Sequence, residues 1–199
     1  MESVSIKGQV RESVGKKAAK AVKREGLVPC VIYGGDQVIH FTADSKDFKT
    51  LVYTASFKLA DIEVAGKTYK CIVKDLQFHP VTDDLQHIDF LELVPGKDIK
   101  VAIPVRFKGQ APGVKLGGKL TPKLRRVKIK TKPEHLVDEL FADVSGLDLG
   151  QSIRVRDIEV TDGMEVMSAM GTPVASIEVP RALRSATAAA GKEEEEEME

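Results

Sequence analysis

Apolar and polar positions alternate through VSIKGQV (4–10), which predicts a strand buried on one face. The period then changes. In SVGKKAAKAVKREG (13–26), Ala18, Ala19, Ala21 and Val22 favour helix, with Ser13 the expected cap and Gly26 the stop. A strand LVPCVIY (27–33), a tight GGD turn (34–36) and a strand VIHFTA (38–43) follow. Asp44 or Ser45 is placed to cap a short helix through DFKTLVYT. FKLADIEV (57–64) and TYKCIVKDLQF (68–78) read as a hairpin turning at AGK, and LQHIDFLEL (85–93) as a closing strand. Strands with two interspersed helices predict an α+β domain over residues 1–94, a mainly β, barrel-like sheet with short helices.

VPGK (94–97) opens a different texture. DIKVAIPVRFKG alternates strictly, GQAPGVKLGGKL (109–120) reads as a long glycine-rich loop, and LRRVKIKTK alternates with basic residues outward. VDELFADV, SIRVRDIEV, MEVMSAM and PVASIEV are four more strand candidates between Gly-, Asp- and Pro-containing turns. Apart from a helical turn at PEHL, this region carries no helical period. It predicts an all-β C-terminal domain, barrel or sandwich, over 95–182. The end, 183–199, is low in complexity and rich in glutamate, and reads as a disordered acidic tail.

Composition narrows the class. A hydrophobic fraction of 42% supports packed cores, and 30% charged residues favour solubility. No apolar run approaches the roughly 20 residues of a membrane helix, and MESVSIKGQVRES lacks a secretory signal's apolar stretch. Cys30 and Cys71 lie singly in apolar strands, as buried thiols of a reducing compartment do. The expectation is a cytoplasmic protein with no membrane contact, not an obligate homo-oligomer.

Charge changes the picture more. The formal net charge is zero, but it is distributed in blocks. Residues 1–26 carry seven basic and three acidic side chains, and 97–132 carry twelve and one. Residues 27–96 carry six and ten, and 133–183 three and ten. Two positive blocks point to a polyanion. In the first, Lys16, Lys20, Lys23 and Arg24 recur at spacings of three and four and share one helix face. In the second, the Lys115–Lys132 side is expected to lie against RNA, with the acidic 133–183 side facing away.

KDLQFHPVTDDLQHIDF (74–90) concentrates the remaining chemistry. His87 and Asp89, two apart on a strand, project from one face, with Ile88, Phe90 and Leu85 expected to alternate with them toward the core or a partner side. His79, before Pro80, begins a connecting loop. As a metal site, His79, His87 and Asp89 offer two nitrogens and a carboxylate, but HExxH and paired CxxC signatures are absent. As a catalytic site, the chain has no GxSxG, P-loop or GxGxxG. Taken alone, a His and an Asp on a solvated strand need no function. Beside a basic helix they suit nucleic acid: cations hold phosphates, while imidazole and carboxylate address base edges and 2′-hydroxyls.

VRESVGKKAAKAVKREGLVPCVIYGG followed by KDLQFHPVTDDLQHIDF resembles the bacterial large-ribosomal-subunit protein L-twenty-five family. PVRFKGQAPGVKLGGKL and DVSGLDLGQSIRVRDI extend the resemblance, as in the longer two-domain form related to general stress protein Ctc. It covers about residues 4 to 180. The resemblance implies a non-enzymatic ribosomal protein, without cofactor or metal, that binds the loop E region of 5S rRNA through its N-terminal domain. The β domain would meet 23S rRNA and neighbouring large-subunit proteins. The RNA contacts it implies are Arg11, Lys16, Lys23, Arg24, Tyr33, Lys74, Gln77, His79, His87 and Asp89; helical spacing alone adds Lys20. Lys23-Arg24 stands where an Arg-Arg pair is common in the family, and Phe78 where many members carry a cation. The rival readings are a regulatory RNA- or tRNA-binding protein off the ribosome, and a metal-dependent hydrolase using His79, His87 and Asp89.

Overall fold

A computed structural model describes residues 1–161 and 163–180; the acidic tail expected at 183–199 lies outside the described residues. The chain divides into two compact units: Met1–Val101 with Lys130–Asp138, and Ala102–Ile129 with the described residues from Glu139.

The first unit is built on β1 (Ser3–Val10), α1 (Lys16–Arg24), β2 (Leu27–Tyr33), β3 (Ile39–Asp44), α2 (Lys49–Val52), β4 (Leu59–Val64), β5 (Lys67–Phe78) and β6 (Leu85–Glu92). Its six strands close a barrel in the order β1-β3-β2-β6-β5-β4. Four neighbours pair antiparallel, but β1 with β4 and β2 with β6 are parallel. The apolar phase of each strand fills the interior with Ile6, Ile32, Phe41, Ile62, Ile88 and Phe90. Phe90 is central, its ring 5.9 Å from that of Phe41 and 6.1 Å from that of Phe48, which the turn before α2 delivers. Cys30 and Cys71 are free and buried here, and desolvation pushes the Cys71 thiol up to about 12 and that of Cys30 higher still.

Gly15, at φ 117°, occupies the N-cap of α1, so Ser13 does not cap it as expected; the Ser13 carbonyl instead accepts from Arg11 Nε at 2.8 Å. Gly26, at φ 79°, ends the helix as expected, in the left-handed conformation a side chain would disfavour. No residue of α1 is fully buried. Ala18, Ala19 and Val22 are half-buried, leaving the lysine-rich face in solvent.

The second region contains β7 (Ile99–Lys108), α3 (Pro112–Lys115), β8 (Lys119–Pro122), β9 (Arg126–Thr131), β10 (Leu140–Asp143), β11 (Ser152–Arg154), β12 (Ile158–Glu159), β13 (Met164–Val166) and β14 (Pro173–Glu178). They form a five-stranded sheet, β12-β10-β7-β9-β13, and a three-stranded sheet, β11-β14-β8. The expected turn at PEHL is a 3-10 turn, Pro133–His135. Two expectations need correction. SIRVRDIEV is not one strand: Asp157 accepts the Arg154 N–H at 3.0 Å, and a 3-10 turn sends the chain from the small sheet to the large one.

The glycine-rich stretch is not simply a loop, since Pro112 starts a helical turn and β8 begins at Lys119. Its glycines serve close packing. A Cβ at Gly113 would stand 2.7 Å from the backbone of both Asp148 and Leu149. Gly113→Ala should therefore destabilise this unit by about 1–3 kcal/mol in urea unfolding. Gly146→Ala, whose Cβ meets nothing within 4 Å, should leave the midpoint in place.

The charge blocks do not stay apart. Parallel pairing of β10 with β7 sets residues 140–143 beside 105–108. Glu139 bridges Arg106 at 2.8 Å, Glu159 meets Lys108 at 3.7 Å, and Glu178 meets Lys123 at 2.6 Å. Basic and acidic segments that are distant in sequence are thus interleaved, contrary to the expected basic side and acidic side.

Candidate nucleic-acid interface

Two bulges shape the surface formed by β5 and β6. The register runs Val73 opposite Phe90, then Asp75 opposite Asp89, so Lys74 is the extra residue on β5. It runs Gln77 opposite His87, then Phe78 opposite Leu85, so Gln86 is the extra residue on β6. The second bulge resolves a conflict in the sequence. Leu85 shares the parity of His87 and Asp89, and strict alternation would put all three outside. One extra residue reverses the phase, and Leu85 is buried with Ile88 and Phe90 as expected.

Between the bulges, Asp75, Gln77, His87 and Asp89 form an outward row, since residues opposite one another share a face. Parallel pairing with β2 adds Val31, in register with Asp89, and places Tyr33 two residues further on. His40 on β3 lies opposite Val31. The Tyr33 hydroxyl titrates above the usual tyrosine range, because burial and then the nearby Asp89 and Asp75 carboxylates disfavour a phenolate. Tyr33 is thereby kept as a hydroxyl that can donate and accept.

The histidines differ in what they present. His87 Nδ1 lies 2.7 Å from Asp89 Oδ1, the geometry of an N–H given to a carboxylate. That assigns Nε2 of the neutral ring as an acceptor. His79 sits in the turn joining β5 to β6, where its Nδ1 accepts the Thr82 N–H at 3.2 Å. Its proton is then on Nε2, which becomes a donor. With Gln77, Asp89 and Tyr33, the strand surface offers both donors and acceptors.

The cationic part comes from α1 and its approach. Lys16, Lys20, Lys23 and Arg24 are exposed on it. Lys23 Nζ donates to the side-chain oxygen of Gln86, tying the helix to the bulge of β6. Alternation alone does not single out Gln86, since it assigns that residue the phase of Ile88. The clash between Leu85 and His87, same parity but opposite polarity, is the signal that could have revealed it. Arg11 is half-buried, and its backbone N–H donates to the His40 carbonyl at 2.9 Å. Lys74 stands apart from the row, and its Nζ donates to the Lys100 carbonyl at 2.9 Å. Among the described residues, no three His, Cys, Asp or Glu side chains converge as a metal site.

The closed barrel thus carries a mixed hydrogen-bonding row beside a lysine-rich helix. Residues 6–90 match the Ribosomal L25p family, and residues 98–181 match the Ribosomal protein TL5, C-terminal domain. The Large ribosomal subunit protein bL25 of Cytophaga hutchinsonii is 40% identical over 192 residues, spanning 96% of this chain and 100% of the relative. That of Bacteroides thetaiotaomicron is 38% identical over 197 residues with the same coverage. That of Christiangramia forsetii is 45% identical over 165 residues, spanning 81% of this chain and 74% of its own length. The chain belongs to the bL25 family of large-ribosomal-subunit proteins, structural components and not enzymes, of the bacterial cytoplasm.

Proposed function

We propose that this protein is a structural part of the large ribosomal subunit and that its N-terminal domain binds 5S rRNA at the irregular loop E region. The observation that carries this reading is the joining of two chemistries at Lys23 and Gln86: a helix of cations and a strand row of donors and acceptors. A regular A-form major groove is too narrow for such a row, whereas an irregular, widened groove admits it. The cations hold phosphate; Gln77, His87, Asp89 and Tyr33 discriminate. The β domain adds contacts to 23S rRNA or neighbouring proteins. Arg106, Lys108 and Lys123 are partly neutralised by their carboxylate partners, so the weight of that contact falls on Lys115, Lys119, Arg126 and Lys128.

Asp89→Asn tests the discrimination. The amide keeps one oxygen for His87 Nδ1 and turns the other acceptor into a donor. It also removes the like-charge pairing of Asp89 with Asp75, so folding should not suffer. Affinity for 5S rRNA should fall by about 1–3 kcal/mol, the scale of a good base-edge contact, while affinity for a regular duplex of equal length stays the same. Undiminished preference for 5S rRNA would remove Asp89 from the readout.

A further inference from the structure

The chain has three tyrosines and seven phenylalanines, and only Tyr53 and Phe78 among them are exposed, at 67% and 40%. They stand together, with ring centroids 6.4 Å apart and planes inclined at 55°. The other aromatic rings are buried or half-buried, and Phe41, Phe48 and Phe90 fill the core. Two exposed rings side by side lose the burial that ordinarily stabilises an aromatic residue, so their position calls for an occupant.

The surroundings select which one. Phe78 lies in the chain between Gln77, in the outward row, and His79, whose Nε2–H is unspent. Tyr53 follows α2, and its N–H donates to the carbonyl of Lys49, a cation exposed one turn earlier. The patch is therefore two rings wide and bordered by polar and cationic groups; Phe78 pairs with the buried Leu85 beyond the bulge, so it adjoins the end of the outward row without being part of it. A protein partner of ordinary affinity needs far more apolar surface than two rings provide. An unpaired base needs a flat ring to stack on and a cation within reach of its phosphate, and both are here.

We infer that Tyr53 and Phe78 form a stacking platform for one unpaired rRNA base, with Lys49 placed for its phosphate. This rests on the reading of the N-terminal domain as a 5S rRNA binder. It extends the interface beyond the strand row and α1.

The test uses the full-length chain and a 5S rRNA transcript, titrated at several salt concentrations. Tyr53→Leu/Phe78→Leu keeps apolar bulk and removes the π-faces. Affinity should fall about ten- to a hundredfold, with an unchanged salt slope, because stacking releases no counterions. Tyr53→Phe/Phe78→Tyr should bind as the parent does. Wild-type affinity in the leucine variant overturns the platform, while the 5S reading survives if Lys23→Ala/Arg24→Ala still weakens binding. If the parent shows no affinity for the transcript, the 5S reading fails first. A leucine variant that binds naked 5S rRNA normally but dissociates faster from whole subunits would assign the rings to a protein neighbour, and would also overturn the platform.

Discussion

Truncation of Phe90 to alanine should cost the barrel about 3–5 kcal/mol, the range for deleting a buried ring from a packed core. The ring is fully buried beside those of Phe41 and Phe48, and a void lined by such apolar groups stays dry. Domains of this size are stable by roughly 5–15 kcal/mol, so the loss removes much of the margin. It should also reach the interface, because Phe90 adjoins Asp89 on β6. Hydrogen exchange at the amides of β2, β5 and β6 is the suitable readout, since it reports the barrel separately from the second unit. Phe90→Leu should lose less. Protection that changes by under a tenfold factor in Phe90→Ala would mean the core collapses around the gap.

Removal of both Lys23 and Arg24 should have the largest effect on RNA binding. Every phosphate left without its cation lowers the slope of log affinity against log salt by roughly 0.7 to 0.9, so the double alanine variant should be flatter by about 1.4 to 1.8. Both side chains are exposed in the last turn of α1, where cations also favour the negative end of the helix dipole. Folding should change little, because neither is buried. Lys16 and Lys20 would remain, so binding weakens and does not vanish. An unaltered slope would make the helix face merely solvated.

The barrel is largely legible in the sequence. The pattern delimits β2 directly, and β1 and β3 to β6 to within two residues, because each strand has one dry face and alternation reports that face. What alternation cannot report is an inserted residue. The bulge at Gln86 leaves no mark except the wrong parity of Leu85, and it is this bulge that turns Gln86 toward Lys23. The start of α1 is misleading for a related reason: Ser13 is a good capping residue, but Gly15 takes up the positive φ at which the chain enters the helix. In the second unit, the break at Val155–Asp157 is hidden because Ile153, Val155 and Ile158 are buried on both sides of it and read as one apolar run. Apart from the β4–β5 hairpin, which the AGK turn announces, strand pairing is out of reach. The partners of Arg106, Lys108 and Lys123 follow from which strands become neighbours, and block charges along the chain carry no information about that. Of the interface, the separate chemistries are readable; the hydrogen bonds that fix the two imidazole tautomers are not.

The position of β6 in the barrel has a consequence for newly made chains. It is the last of the six strands to be synthesised, yet it inserts between β5, one turn before it, and β2, which precedes it by more than fifty residues. Until it arrives, Tyr33 and Gln77 stand on strands with no neighbour in common, and His87 and Asp89 do not yet exist. A stalled or clipped chain ending before residue 85 would display the lysines of α1 without the row that gives them direction. On the proposed reading, attachment to RNA at the proper address is tied to completion of the fold, and unfinished copies are left with only a general attraction to polyanions.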